Sequence, residues 1–299
     1  MVFSILKIGV PFIMIVVMGT EATHGRSHHY SSYSDKPEFY LDAIQQSQSQ
    51  QSQKSDCHHN IRAGIVTHHL LARTLMADFF ECLAMGSIPN RVILIGPDHF
   101  RKSSRDIATS EIPWITPFGE LSANPETTSL IRNTLDLPDD SEALTGEHSI
   151  SALIPFVRFY FPNSSVVPLI IQKNPDRDTI ALLRYLVVKF LEDPGTIVLL
   201  SMDFVHNQTA DEADRRDILA QEVIMNLDSS QVDRLDIDCH PGLAILLSAL
   251  KVNQNIVGQV LDHTNSSRII HDGRQKDVTS YFTIIFYKKT FREKNAAHD

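Results

Sequence analysis

Two histidines stand where apolar, strand-like runs of this sequence end. His68 follows the run 63–66 and His99 follows the run 92–95. Ligands of open α/β sheets bind beyond the carboxyl ends of the strands, so two imidazoles delivered there by separate strands can share one metal ion. Imidazole binds zinc, copper, iron and nickel, and the pair alone does not choose among them. The alternative is that each histidine only caps its strand, but further polar side chains at later strand ends favour a site.

A third apolar run, residues 196–200, is followed by Asp203 and His206. Side chains three residues apart fall on one side of a tight loop or a first helical turn. We expect Asp203 to orient a ligand histidine or to bind the metal itself, with a helix N-cap as the alternative role. We expect His206 to act as a general acid or base, because imidazole gains and loses its proton near neutral pH.

Two predicted helices begin with side chains that suit the same site. Glu147 and His148 open one of them, at the end of the helix that stabilises a carboxylate. His148 could bind or polarise an anionic substrate group, and composition leaves this role and a purely structural one equally open. Cys239 precedes the other helix, a position that lowers the pKa of a thiol and makes it a candidate metal ligand or nucleophile. Simple packing is the alternative for Cys239.

The elements that must position these residues alternate between strands and helices from residue 57 to residue 292. Continuous apolar runs are typical of strands buried on both faces of a parallel or mixed sheet. We predict such strands at 63–66, 92–95, 166–171, 196–200 and 256–261, and a last strand nearer an edge at 281–287. Helical periodicity predicts helices at 70–84, 125–134, 148–160, 177–192, 211–227 and 241–251. The pattern predicts one three-layer α/β domain, with a mixed, mostly parallel sheet and helices on both faces. The irregular stretch 100–122 is predicted to be a long loop over the mouth of the site.

Composition excludes one class of partner. The chain has 299 residues, of which 42% are hydrophobic and 21% charged, and its formal net charge is −9. These fractions are ordinary for a globular protein. An acidic chain without a run of Lys and Arg repels a phosphate backbone, so no nucleic-acid partner is expected.

The first 25 residues have the order of a secretory signal, with Lys7, a short apolar run at 8–19 and then small and polar residues. A membrane span needs roughly 20 apolar residues, so we expect cleavage and export to the periplasm or beyond, without membrane attachment of the mature protein. A retained anchor at 8–19 is the alternative. The Ser- and Gln-rich segment 26–56 is predicted to be a disordered linker, in which 40–44 could dock, and 293–299 a charged tail.

The chain contains three cysteines, Cys57, Cys82 and Cys239. An odd number leaves at least one thiol unpaired in an oxidising compartment. Cys82 lies within the apolar pattern of a predicted helix, and we expect it to be a buried, unreactive thiol.

Six short motifs occur in an order that resembles the MEMO family, which includes protein B of the AmmeMemoRadiSam system. The motifs are HHLLA at 68–72, IGPDHF at 95–100, EHSI at 147–150 with PF at 155–156, DFVH at 203–206, CHP at 239–241 and TSY at 279–281. Each motif is short, but six in one order across residues 60–288 are specific. The resemblance also implies radical-SAM and AMMECR-type pathway partners, although the secretory-looking start is unlike that of cytoplasmic members.

The MEMO family is similar in fold to the class III, or LigB-type, extradiol ring-cleaving dioxygenases, which hold non-haem Fe(II) with two histidines and a glutamate. The resemblance implies that His68 and His99 are the two imidazole ligands and that Cys239 replaces the glutamate. It implies that Asp203 and His206 line the site, with His206 in the place of the acid/base histidine of the dioxygenases.

The sequence departs from the family pattern at two places near the expected ligands. Thr67 stands where proline usually precedes the first histidine. Cys239 directly precedes His240 and Pro241, whereas some members space them further apart. The second departure makes the assignment of the third ligand depend on the structure.

These residues predict a mononuclear redox-metal site that uses Fe(II) or copper, in an oxidoreductase similar to the extradiol dioxygenases that acts on a small molecule. The alternative is a non-catalytic metal-binding or redox-signalling module that keeps the same shell. His206 favours catalysis, because sequestration needs no acid/base group. A Cys239 thiolate favours copper, whereas Asp203 or Glu147 as the third ligand would make a harder set that favours Fe(II).

Overall fold

The structure is a computed structural model that describes residues 29–49, 57–253 and 255–289. The predicted signal or anchor segment, the end of the predicted linker and the predicted tail lie outside the described residues. Within the described ranges, no helix is both long enough and apolar enough to cross a membrane.

Strands and helices alternate along most of the described chain. The strands are Tyr30–Ser31 (β1), Ile61–Val66 (β2), Arg91–Pro97 (β3), Ile107–Thr109 (β4), Trp114–Thr116 (β5), Gly119–Leu121 (β6), Ser165–Ile171 (β7), Thr196–Ser201 (β8), Ile256–Asn265 (β9) and Ser280–Lys288 (β10). The helices are Pro37–Ser49 (α1), Arg73–Gly86 (α2), Pro125–Leu135 (α3), His148–Ser151 (α4), Ile154–Tyr160 (α5), Arg177–Glu192 (α6), Ala210–Met225 (α7), His240–Val252 (α8) and Ser266–Ile269 (α9). Short 3₁₀ turns occur at Leu70–Ala72, Ser141–Leu144 and Ser229–Arg234.

The main sheet has seven strands in the order β4-β7-β3-β8-β2-β10-β9. The four central strands β7, β3, β8 and β2 pair with one another in parallel. The outer strands pair in antiparallel fashion, β4 with β7, β10 with β2 and β9 with β10. A small second sheet joins β1, β5 and β6. The predicted mixed, mostly parallel sheet is therefore confirmed.

Alternate residues of the central strands enter two separate hydrophobic cores, one on each face of the sheet. In β3, Ile93 and Ile95 pack in the core that contains residues of α6, α7 and α8. Val92 and Leu94 pack in the other core, with residues of α1, α2 and α5. Because side chains alternate across a strand, a strand buried on both faces reads as one apolar run. This arrangement is the predicted three-layer α/β domain.

The sheet differs from the sequence prediction at one side. β9, predicted to be buried on both faces, is the edge strand and is only partly buried along most of its length. The last strand, β10, lies inside the sheet between β2 and β9. The stretch 100–122, predicted as one long loop, contains β4, β5 and β6. A short strand gives too few residues for a period of two to be visible in the sequence.

The prediction of a disordered linker is wrong for residues 30–49. The segment forms β1 and α1, and α1 buries Tyr40, Ala43, Ile44 and Ser47. These residues have the spacing of one helical face. The composition of the segment does not reveal this face, because the surrounding residues are mostly Gln and Ser. The Ser47 hydroxyl donates a hydrogen bond of 2.6 Å to a carboxylate oxygen of Glu81 in α2.

Cys57 and Cys82 form a disulfide, so Cys82 is not the free thiol that the sequence analysis predicts. The bond ties the segment before β2 to α2. Cys239 is the free cysteine among the described residues, and it is buried.

Replacing Ile44 by alanine tests the role of the Gln-rich helix. Ile44 is almost fully buried against α2, so Ile44→Ala should lower the free energy of unfolding by about 3 kcal/mol. Urea denaturation followed by circular dichroism measures the change. The matched control is Gln45→Ala at the next, exposed position, which should cost less than about 0.5 kcal/mol. Equal, small effects of both substitutions would show that α1 contributes nothing to the fold.

Candidate metal centre

Three neighbouring parallel strands deliver polar side chains to one edge of the sheet. His68 lies two residues beyond the end of β2, His99 two residues beyond β3, and Asp203 two residues beyond β8. Because β8 pairs with both β2 and β3 in parallel, the three chain ends meet. The expectation that ligands collect at the carboxyl ends of the strands therefore matches the geometry.

Three imidazoles come together at this edge. The ring centroids are 5.0 Å apart for His68 and His99, 5.2 Å for His68 and His148, and 4.1 Å for His99 and His148. One ring nitrogen of each lies within 4.8 Å of the others. The side chain of His68 is 2% exposed and that of His148 is 34% exposed, so the cluster opens to solvent on the His148 side. The sequence analysis expects His148 to contact a substrate, and the structure places it beside the two expected ligands.

A carboxylate that the sequence analysis does not select lies between His68 and His99, the two expected ligands. Asp238 Oδ2 is 3.3 Å from His68 Nε2 and 3.5 Å from His99 Nε2. This oxygen is buried and makes no hydrogen bond, whereas Oδ1 of the same carboxylate accepts a hydrogen bond of 3.1 Å from the Asp203 N–H. A buried carboxylate oxygen without a donor is costly. That cost is offset either by a proton on the adjacent Nε2 of His99 or by a cation bound to Asp238 and both Nε2 atoms.

The hydrogen bonds behind the rings turn both Nε2 atoms toward this point. The Ser201 hydroxyl donates its one proton to the Ser149 carbonyl at 2.5 Å, so it must accept the hydrogen bond of 3.1 Å that joins it to His68 Nδ1. His68 therefore carries its proton on Nδ1 and leaves the lone pair of Nε2 free. Ligand histidines in metal sites are oriented in this way.

Glu147 performs the same task for His99. Its Oε1 lies 2.8 Å from His99 Nδ1 and accepts a second hydrogen bond of 3.0 Å from the Ser149 N–H. Its Oε2 accepts a hydrogen bond of 3.0 Å from the His99 N–H. The carboxylate is fully buried, and both of its oxygens are occupied. Glu147, an alternative third ligand in the sequence analysis, is thus placed as an orienting group.

Asp203 contacts His68 and also belongs, with His68 and Asp238, to a group of side chains that could hold a metal ion, so both roles expected for it match its position. Its Oδ1 accepts hydrogen bonds from the Thr67 hydroxyl and from the His68 N–H, the latter at 3.2 Å. Its Oδ2 is 3.6 Å from His68 Nε2. Burial alone would raise the pKa of Asp203, but its electrostatic interaction with the His68 ring and the hydrogen bond from the Thr67 hydroxyl hold it below its usual value. The alternative of a helix N-cap is wrong, because the next helix is capped by Thr209.

Cys239 does not join the histidines, and its assignment as the third metal ligand is not supported by the structure. Its Sγ belongs to none of the groups of potential ligand atoms found among the described residues. The side chain lies in the core against Gly242, where an added Cβ would come within 2.6 Å of Sγ. Burial, reinforced by the charge of Asp238, raises the pKa of the Cys239 thiol well above its ordinary value. This direction is the opposite of the lowering expected for a helix start.

His206 and His69 both lie near Asp203, and His206 is partly buried. Burial lowers the pKa of His69. His69 stacks on Tyr281, with ring centroids 5.6 Å apart and a distance of 3.2 Å between Nδ1 and the Tyr281 hydroxyl. The structure therefore places His206 close to the centre but outside its group of ligand atoms.

A separate group of potential ligands in the described chain, formed by Asp214, Asp217 and His263, is already saturated. Asp217 accepts a hydrogen bond of 2.8 Å from the Ser280 hydroxyl and lies 2.8 Å from His263 Nε2. Asp214 pairs with Arg268 at 2.5 Å. These contacts tie α7 to β9 and β10, and they give the group a structural role.

Residues 26–285 match the family model described as Memo-like protein. The chain belongs to the Memo-like family. It is 26% identical to a MEMO1 family protein of Pyrobaculum aerophilum over 239 residues, which is 75% of this chain and 83% of that protein. It is 28% identical to a MEMO1 family protein of Thermotoga maritima over 219 residues, which is 70% of this chain and 76% of that protein. An uncharacterized protein from Escherichia coli K12 has a similar structure, with a TM-score of 0.50 and 11% identity over 75% of this chain and 99% of that one, and this likeness concerns the fold alone.

The protonation states of this Memo-like site are set by its carboxylates. Burial opposes a charge on His99, but Asp238 and Glu147 outweigh it and raise the pKa of His99 to about 9. Burial, reinforced by the charge of His99, lowers the pKa of His148 to about 4. At neutral pH, His99 is therefore a cation between two carboxylates, whereas His148 is neutral and keeps a free lone pair.

The affinity of this Memo-like centre for metal should rise with pH, because a metal ion must displace the proton of His99. Since the pKa of His99 is about 9 rather than 6.5, the apparent affinity for Zn(II) should increase about tenfold per pH unit from pH 6.5 and level off near pH 9. Competition with a chelator of known pH dependence measures the slope.

An NMR titration of His99 in metal-free protein provides an independent check. The raised pKa also means that protonated His99 stabilises the metal-free fold fully below about pH 6.5, and that this contribution is lost as the pH rises through about 9. A midpoint near pH 6.5, with an affinity that levels off there, would show that the two carboxylates do not act on His99 as described.

Proposed function

We propose that this chain is a metalloprotein that binds Fe(II) through His68, His99 and Asp238 and acts as an oxidoreductase similar to the extradiol ring-cleaving dioxygenases. The observation that carries the proposal is the buried Asp238 Oδ2, which lacks a hydrogen bond and faces Nε2 of both histidines. Two imidazoles and one carboxylate with open positions are the donor set of non-haem Fe(II) oxygenases.

The orientation of Cys239 bears on the choice between iron and copper. A thiolate ligand would make the set soft and favour copper. With the Cys239 side chain packed in the core against Gly242 and outside the groups of potential ligand atoms, the proposed donors are two nitrogens and one carboxylate oxygen. This harder set supports Fe(II) over copper. His148, neutral and adjacent to His99, offers a further nitrogen.

Fe(II) bound here would supply coordination positions for O₂ and a substrate and the electrons that activate O₂. The chain itself supplies the groups that move protons. His148 is the imidazole best placed to contact a substrate that reaches His99, because it is one-third exposed and stacked on that ring. Asp203 holds the main chain of His68 in place, and His206, which lies near Asp203, is the proposed acid/base group.

The size of the adjacent pocket limits the substrate. A pocket of about 150 Å³, lined by His99 and Asp238 among others, opens beside the centre. Pockets for drug-sized ligands usually occupy about 300–1,000 Å³, so a substrate here is small. The same small volume is the observation that favours the alternative, a metal-binding or redox-signalling module without catalysis.

We also propose that the chain functions outside the cytoplasm, after cleavage of the signal-like segment. The support within the described residues is the Cys57–Cys82 disulfide, because disulfides persist in oxidising compartments and are rare in the cytosol. Export would separate the chain from cytoplasmic radical-SAM and AMMECR-type partners.

Removing any one of the three proposed ligands should abolish tight iron binding. His68→Ala, His99→Ala and Asp238→Asn should each lower the affinity for Fe(II) by more than about 100-fold, because each loses a donor to the ion. The protein is purified without an affinity-tag metal, its metal content is measured by mass spectrometry, and O₂ consumption with catechols is recorded. The iron-loaded wild type should consume O₂, and the three variants should not.

Cys239→Ser is the matched control, because it changes the neighbour of Asp238 without removing a proposed ligand. It should bind Fe(II) like the wild type, with thermal unfolding used to check that it folds. If Asp238→Asn keeps iron and Cys239→Ser loses it, the third ligand is the cysteine. A wild type that binds Fe(II) stoichiometrically but consumes no O₂ with any catechol would favour the non-catalytic module.

The exported protein should begin between about residues 20 and 30 and should contain the Cys57–Cys82 disulfide. Mass spectrometry of protein from the native host, with and without reduction before alkylation, measures both features. Cys239 serves as the internal control, since it is free in either case. An intact Met1 together with a reduced Cys57 in a cytoplasmic fraction would contradict export.

A further inference from the structure

Two cations without partners line the pocket beside the proposed metal centre. Arg101 follows β3 and Lys173 follows β7, and both border the pocket together with His99 and Asp238. Both residues are exposed. Among the described residues, neither side chain makes an ion pair or a hydrogen bond. The chain as a whole is acidic, with a formal net charge of −9. Two unpaired positive side chains at the mouth of one small pocket are therefore unusual, and they favour an anionic ligand.

The loop that carries Arg101 is fixed by Asp98. The carboxylate of Asp98 accepts hydrogen bonds from the Lys102 N–H at 3.1 Å and from the Ser103 N–H at 2.9 Å. Arg101 has a φ of 53°, in the left-handed region that non-glycine residues rarely adopt. Such conformations persist where the surrounding structure enforces them, and they concentrate at ligand sites.

Gln172 fastens the second wall of the pocket to the first. Its Nε2 donates hydrogen bonds to the Ser103 carbonyl at 2.7 Å and to the Arg105 carbonyl at 3.0 Å. Gln172 immediately precedes Lys173, and Ser103 lies two residues after Arg101. The two cations therefore stand on loops that are tied to each other.

The neighbouring cation, Lys102, is already engaged. Its Nζ donates a hydrogen bond of 2.9 Å to the Thr145 carbonyl and lies 5.3 Å from the centre of the Phe100 ring. Asp98, the other acidic residue that lines the pocket, uses its carboxylate on the backbone of its own loop. Apart from the proposed ligand Asp238, the charged side chains of the pocket wall that remain unengaged are thus Arg101 and Lys173.

We propose that Arg101 and Lys173 bind the carboxylate of a small substrate and so select acids over neutral analogues. The guanidinium fork of arginine matches a carboxylate in shape, and lysine adds a point charge. The pocket volume of about 150 Å³ restricts the substrate to a small molecule. The inference rests on the proposed function, because it places the carboxylate of the substrate beside the proposed metal position.

The test compares two probes that differ only by a carboxylate, 3,4-dihydroxybenzoate and catechol. Calorimetric titration of the full-length, Zn(II)-loaded protein gives both dissociation constants without turnover. The acid should bind the wild type at least about tenfold more tightly than catechol, as expected for hydrogen bonds to a charged group. In the double variant Arg101→Gln/Lys173→Gln, the ratio should fall to about one.

Arg184→Gln/Lys251→Gln is the matched control, since it removes two exposed cations of α6 and α8 that make no ion pair among the described residues. The control should keep the preference of the wild type. A wild type without preference for the acid, a preference that survives in Arg101→Gln/Lys173→Gln, or an equal loss in the control would each overturn the proposal.

Titrations of the metal-free protein separate this proposal from the proposed function. Benzoate should bind the wild type more tightly than Arg101→Gln/Lys173→Gln even when no metal is present. That result would support the two cations if His68, His99 and Asp238 proved not to bind iron. If benzoate binds both proteins equally, Arg101 and Lys173 do not bind the carboxylate, even if iron binding is confirmed. If inorganic phosphate binds more tightly than benzoate, the ligand class is not a carboxylate.

Discussion

A single buried carboxylate, Glu147, holds the centre together. A carboxylate without solvent must be matched by donors, because an unmatched buried charge costs several kcal/mol. Three donors match it, namely the main-chain N–H of His99, the ring Nδ1 of His99 and the main-chain N–H of Ser149. Glu147 thereby fixes one ligand ring and begins α4, which carries His148. The carbonyl of Ser149 in turn accepts a hydrogen bond from the Ser201 hydroxyl. The Ser201 oxygen must therefore accept from His68 Nδ1, which leaves His68 Nε2 free.

The choice of third donor follows from close packing one residue away. Gly242 lets α8 approach β8 so closely that an added Cβ would lie 2.6 Å from Cys239 Sγ and 2.7 Å from a methyl carbon of Leu200. The thiol is enclosed in this contact, and the preceding residue, Asp238, faces the histidines instead. The chemical hardness of the proposed donor set thus depends on a helix–sheet contact that belongs to the hydrophobic core.

The central strands and the positions of His68 and His99 are predictable from the sequence, because strands buried on both faces give continuous apolar runs and ligands gather at their carboxyl ends. Asp238 is not, since it and Cys239 are both plausible donors and only the packing decides which of two adjacent side chains faces the site. Of α1, the sequence predicts only that residues 40–44 could dock, because part of its buried face is Ala and Ser, residues that composition assigns equally to a linker. The pairing of Cys57 with Cys82 depends on how the segment before β2 meets α2, which periodicity does not reveal.

The hydrogen bonds of Gln172 to the loop after β3 have a consequence for conformational entropy. Two independent loops that closed on a ligand would each lose backbone freedom at the moment of binding, at a cost of about 1–2 kcal/mol for every residue ordered. Here the side chain of Gln172 joins the two loops when the protein folds. The loops are therefore ordered before a ligand binds. A ligand with few atoms has little interaction energy to spend on ordering a protein. A preorganised wall is what allows a pocket of this size to retain such a ligand.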